Sequence, residues 1–81
     1  MHELSTMQGI VSYLLKHIES NGVTRVKEVH LEVGAFTMLS VPQLRFAFRS
    51  LVKGSSLNGA ELVVVEVPGR ACRVTRLRCK G

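Results

Sequence analysis

The sequence predicts a small α/β domain of two layers, with two helices packed on one face of a three-stranded mixed sheet in the order α-β-α-β(-β). Three observations carry this prediction. Apolar residues recur at three- and four-residue steps over the first eighteen positions and again over residues 44–52, the spacing of one helix face. Residues 28–33 alternate with a period of two, and residues 61–67 form a nearly continuous β-branched run. A strand–helix–strand unit favours parallel strands joined by a right-handed crossover, which places both helices on one face. Two strands make a poor sheet, so a third is required, from Val74 to Cys79 or from another molecule.

Taken in order, the first helix carries Leu4, Met7, Ile10, Val11, Leu14, Leu15 and Ile18 on its apolar face, and Ser20-Asn21-Gly22 supplies a glycine able to close it. In the first strand Val29, Leu31 and Val33 form the buried face against Glu28, His30 and Glu32. Gly34 ends the alternation, and residues 35–39 read as a connecting loop. Ser40-Val41-Pro42-Gln43 is a strong helix start: Ser40 caps, Pro42 suits a first turn that needs no N–H, and Gln43 stands at the reciprocal capping position. Leu44, Ala47, Phe48, Leu51 and Val52 give this second helix its buried stripe, with Phe46 on the flank. After the loop at residues 54–59, Glu61–Val67 reads as a central strand covered on both faces, and Pro68-Gly69 stops it.

Composition narrows the function. Eighty-one residues make one domain near the lower size limit for an independent core, and 46% hydrophobic content excludes a disordered chain. No apolar run approaches the roughly 20 residues that cross a bilayer, and the basic start of a signal peptide is missing, so a cytoplasmic location is expected. The net charge of +5 sits in one place. Residues 1–69 balance six basic against six acidic side chains, whereas Arg70, Arg73, Arg76, Arg78 and Lys80 follow with no acid. A neutral body with a basic tail is a weaker nucleic-acid signal than a uniformly basic domain, and no aromatic residue interleaves with those arginines to stack bases. With no Asp, no nucleophile–base set and no phosphate-binding loop, the sequence does not read as an enzyme.

The chemistry concentrates at the chain start. A free amine, the backbone nitrogen of residue 2 and the His2 imidazole form fused chelate rings around one ion. A further donor from Glu3 completes a square-planar set, the geometry of Ni(II) or Cu(II) rather than tetrahedral Zn(II). Any chain can begin Met-His by chance, so these residues alone leave both readings open. Glu28, His30 and Glu32 share one strand face; they fit a metal site or, more simply, the solvated face of a half-buried strand.

Met1-His2-Glu3-Leu4-Ser5 resembles the opening of the HypA family, the nickel metallochaperones of hydrogenase and urease maturation. The resemblance continues in Asn21-Gly22-Val23, Val29-His30-Leu31-Glu32-Val33-Gly34, Leu44-Arg45-Phe46-Ala47-Phe48 and Gly59-Ala60-Glu61-Leu62, and covers roughly residues 1–72. It implies that His2 is the nickel ligand, with the Met1 amine and the backbone or side chain of Glu3 completing the site. It implies Ni(II) delivery, with a HypB-type GTPase and the large subunit of a nickel–iron hydrogenase, or urease components, as partners. It also implies a second module holding Zn(II) through two C-x-x-C pairs.

There the chain departs from the family. Cys72 matches the first zinc cysteine in place, whereas Cys79 has no clear counterpart. Were residues 73–78 extended, the two Cα atoms would lie about 23 Å apart at about 3.3 Å per residue, whereas thiolates on one zinc sit within about 4 Å. The expectation is therefore a nickel-binding α/β domain at 1–69 and a basic tail at 70–81 that is a remnant of the zinc module. Cys72 and Cys79 read more simply as free thiols; zinc at either would be shared between chains in a homodimer. The alternative function is a small module binding nucleic acid or an acidic protein through the tail.

Overall fold

A computed structural model describes residues 2–80 of the chain. The elements are α1 (His2–Ser20), β1 (Val26–Gly34), a 3-10 turn (Ala35–Thr37), α2 (Val41–Leu51), β2 (Glu61–Val67) and β3 (Cys72–Cys79). The sheet order is β2-β1-β3, with β1 parallel to β2 and antiparallel to β3. The two-layer mixed architecture is thus the expected one, and the third strand comes from the chain's own tail.

Local chemistry accounts for the boundaries. At the end of α1 the Val23 N–H reaches the Ile18 carbonyl and the Gly22 N–H reaches Glu19, with Gly22 at φ 69°. This is the double hydrogen bond that closes a helix through a left-handed glycine. At the start of α2 the Gln43 N–H donates to the Ser40 side chain at 3.4 Å, with Pro42 in the first turn.

The core lies between the helices and one sheet face. Met7, Val11, Leu14 and Ile18 of α1 and Leu44, Ala47 and Phe48 of α2 meet Val29, Leu31 and Val33 of β1 and Leu62 of β2. No buried side-chain nitrogen or oxygen among the described residues lacks a partner, so burial here is almost wholly aliphatic. Three expectations change. Glu61–Val67 is an edge strand in which only Leu62 is buried, because Cys72–Cys79 pairs with β1 rather than with β2, and β1 takes the centre. Leu4 is exposed, because α1 is covered only from Met7 onward. Leu57, read as part of a loop, is fully buried, held by the Ser55 hydroxyl accepting its N–H. Among the described residues, no helix is long and apolar enough to cross a membrane.

Candidate metal centre

Chain direction decides what meets the N-terminus. Helix α1 runs back along the sheet, so its first residues lie at the carboxyl ends of the parallel strands β1 and β2. The turn after β1 and the entry to β3 lie there too, with Cys72 opposite Val33. His2, Thr6, Phe36, Thr37, Leu39, Arg70 and Cys72 line one open cleft of about 430 Å³ at this end.

His2 is exposed, in the first turn of α1. In a first turn the backbone N–H groups have no acceptor four residues earlier, so they stand outside the helix ladder. The amide nitrogens of His2 and Glu3 can therefore bind a metal without breaking an i to i−4 hydrogen bond. The Met1 amine, the remaining donor expected from the sequence, lies outside the described residues.

The Glu3 carboxylate has a structural task. It accepts the Ser40 N–H at 2.8 Å, tying α1 to the cap of α2 across thirty-seven positions of sequence. This bond, more than any other influence, pulls the Glu3 carboxyl down to about 2 from an ordinary value near 4.5.

The frame of the cleft is the turn after β1. Gly34 donates its N–H to the Ala71 carbonyl at 2.7 Å, and Phe36 donates to Gly69 at 2.9 Å. The Thr37 hydroxyl donates to the Gly34 carbonyl at 2.7 Å and accepts the Leu39 N–H. A Cβ on Gly34 would stand 2.5 Å from the Gly69 oxygen, so only glycine lets the 69–71 segment pass this close. In the sequence Gly34 reads as a strand stop and Arg70 as part of the tail. A glycine inside a strand pattern was the signal for close backbone approach, and a second glycine at 69 marks the other side.

The cysteines are kept apart. They open and close β3, an extended strand of eight residues, so the separation of about 23 Å applies and one ion cannot bind both thiols of one chain. Neither forms a disulfide, and burial pushes the Cys72 thiol up. No cluster of three or more His, Cys, Asp or Glu able to hold a metal occurs among the described residues, so the donor set does not fit a resident zinc ion.

Several charged groups of β1 and β3 pair with one another. His30 Nε2 lies 2.9 Å from Glu28 Oε1, an interaction that lowers the Glu28 carboxyl, and Arg78 reaches the other Glu28 oxygen at 3.5 Å. Arg73 pairs with Glu32 at 3.1 Å. The β1 face thus reads as a hydrated ion network. The basic tail is divided: Arg73 and Arg78 turn to acids of β1, Arg70 faces the His2 cleft, and Lys80 lines a different pocket with Arg25 and Lys27.

Comparison with known proteins identifies the family. Residues 1–80 match the family described as "Hydrogenase/urease nickel incorporation, metallochaperone, hypA". A hydrogenase maturation factor HypA of Azotobacter vinelandii is 42% identical over 71 residues, covering 88% of this chain and 63% of that protein. One of Methanobrevibacter smithii is 40% identical over 68 residues, covering 84% of this chain and 54% of that protein. The chain therefore spans somewhat more than half the length of these curated relatives. The solution structure of the Ni metallochaperone HypA from Helicobacter pylori superposes with a TM-score of 0.80 at 12% identity, covering 95% of this chain and 96% of that one. A second HypA solution structure gives 0.81 at 15% identity, covering 99% and 97%. At these identities the superpositions concern the fold.

Proposed function

The chain belongs to the HypA family, and from that premise we propose that it carries Ni(II) at its N-terminus and hands it on during maturation of nickel enzymes. The observation that carries the reading is the exposed His2 in the first turn of α1, where its own amide and that of Glu3 lie outside the helix ladder. The Met1 amine, the His2 amide and imidazole nitrogens and a further donor from Glu3 then form a square-planar set suited to Ni(II). Such a site loads and unloads by local ligand exchange, because its donors all belong to the first three residues of the chain. Protons compete for the amine and the imidazole, so loading weakens as pH falls.

The proposed recipients are the large subunit of a nickel–iron hydrogenase or urease components, with a HypB-type GTPase as a helper and the cytoplasm as the setting. The role is carriage without turnover. Residues 1–69 are the proposed nickel-binding unit, and zinc at Cys72 or Cys79 would need ligands from beyond the described residues of one chain.

The test is a Ni(II) titration of the untagged protein, read by absorption and calorimetry, beside His2→Ala and a version with residues added before Met1. One nickel with a square-planar spectrum is expected for the native start only. Equal binding by all three, or by none, refutes the assignment.

A further inference from the structure

The end of the sheet opposite the His2 cleft gathers positive charge from separate segments. Arg25 and Lys27 flank the first residue of β1, and Lys80 follows β3. With Val26, Asn58 and Gly59 they line one open cavity of about 260 Å³, and no acid lines it. The length of β1 sets this cavity roughly 25 Å from the His2 cleft, at about 3.3 Å per residue. Backbone bonds fix its walls: the Val26 N–H donates to the Ser56 carbonyl and the Lys80 N–H to the Arg25 carbonyl, both at 3.2 Å. Fully buried Leu57 anchors the loop that carries Asn58 and Gly59, and Gly59 takes a φ of 82°. The pairing of β1 with β3 matches Val26 to Cys79 and Glu28 to Arg78, so the register passes over Lys27. This bulge lets Val26 and Val29, three positions apart, both reach the core, and it takes Lys27 out of the strand's alternation.

These cations differ from their neighbours on the sheet. Arg73 and Arg78 are answered by Glu32 and Glu28, whereas Arg25, Lys27 and Lys80 make no ion pair among the described residues. Three like charges around one concavity repel one another and focus a positive potential into it. We infer that this cavity is an anion site that takes a short phosphate chain. Charge density decides the class. A terminal phosphoryl group carries about 1.5–2 negative charges at neutral pH, so a phosphate chain sets several charges against three cations in a small volume. An acidic peptide brings one charge per side chain and would have to insert several side chains together. A nucleic-acid strand is held largely by stacking its bases on aromatic residues, and none lines this cavity. The donors fit as well: Arg25 offers a planar fork for two phosphoryl oxygens, the lysines offer point charges and the Asn58 amide offers neutral N–H groups. The cavity is smaller than the roughly 300 Å³ at which drug-sized sites begin, so it holds the phosphates and leaves any attached nucleoside outside. Inorganic triphosphate and the tail of a nucleoside triphosphate share this chemistry. The site stands independently of the nickel-carrier reading.

The experiment titrates the metal-free full chain with inorganic triphosphate, adenosine triphosphate and a triglutamate peptide at constant ionic strength, read by calorimetry and amide NMR. The variants are Lys27→Ala and Lys80→Ala, with Arg73→Ala as a control that removes the same charge from outside the cavity. Lys80 lies outside the strands, so its variant keeps the test sound should Lys27→Ala disturb the bulge. One triphosphate per chain is expected, with amide shifts at residues 25–27, 58–59 and 80. Affinity should fall at least fivefold in both lysine variants and twofold or less in Arg73→Ala, with melting temperatures preserved. Adenosine triphosphate matching inorganic triphosphate assigns the site to a nucleotide tail, and weaker binding assigns it to the free chain; both keep the site. Three outcomes overturn it. Absence of saturable binding removes the ligand, an equal loss in Arg73→Ala shows diffuse surface charge, and triglutamate binding as tightly as triphosphate assigns the cavity to an acidic protein segment.

Discussion

Gly34→Ala offers a sharp test of how the cleft is built. At φ −69° and ψ 137° the Gly34 backbone is ordinary extended structure, so alanine adopts it without strain. The difficulty is space. The new Cβ would stand 2.5 Å from the Gly69 oxygen, 2.7 Å from the Gly69 carbonyl carbon and 2.9 Å from the Ala71 oxygen, all backbone atoms that cannot swing aside. The 69–71 segment must retreat, stretching or losing the hydrogen bonds from Gly34 to Ala71 and from Phe36 to Gly69. Each bond is worth about 1 kcal/mol, and overpacking adds about 1–3 kcal/mol, so the total is about 3–5 kcal/mol. For a domain of this size that lowers the melting temperature by at least 10 °C. The control is Gly9→Ala in α1, where a Cβ would meet nothing within 4 Å and helix propensity should add about 1 kcal/mol. Urea unfolding of both variants decides it. Gly34→Ala within about 0.5 kcal/mol of the native protein, or a loss in Gly9→Ala of similar size, would refute the close-approach argument.

Four further outcomes are expected. Because the Glu3 carboxyl is held down to about 2, its contribution to stability is fully present above the ordinary value of about 4.5 and is lost as pH falls towards 2; Glu3→Gln should flatten that part of the acid-unfolding profile, and a Glu3 carboxyl titrating near 4.5 by NMR would contradict the Ser40 tie. Leu57→Ala removes a fully buried side chain and should destabilise by about 2–4 kcal/mol in urea, whereas a surface loop residue would register within about 0.5 kcal/mol. Alkylation at neutral pH should modify exposed Cys79 faster than half-buried Cys72, whose thiol is pushed up by burial; the reverse order would show Cys72 to be activated. Breaking the exposed Arg73–Glu32 pair with Arg73→Ala should change stability by less than about 1 kcal/mol, and a larger loss would mean that the pair anchors β3.

Much of this molecule was legible in residue order. The apolar stripe of α1, the Ser40 cap, the period-two pattern of residues 28–33 and the β-branched run from Glu61 to Val67 are local signals, set by backbone geometry within a few positions. Family membership was legible for a related reason, because its motifs are short and fixed in place. Which strand lies at the centre was not local. The run Glu61–Val67 is apolar enough for an interior position, yet β3 pairs with the far side of β1 and leaves β2 at the edge. The chemistry of the chain end divides in the same way. Sequence alone named His2 and Glu3. Only the tertiary structure decided that the Glu3 side chain is committed to Ser40, that Gly34 admits the Gly69–Ala71 backbone, and that Arg70 stands over the His2 cleft. Those relations join residues more than thirty positions apart, and they arise because α1 and β1 run antiparallel and bring distant segments to one end of the sheet.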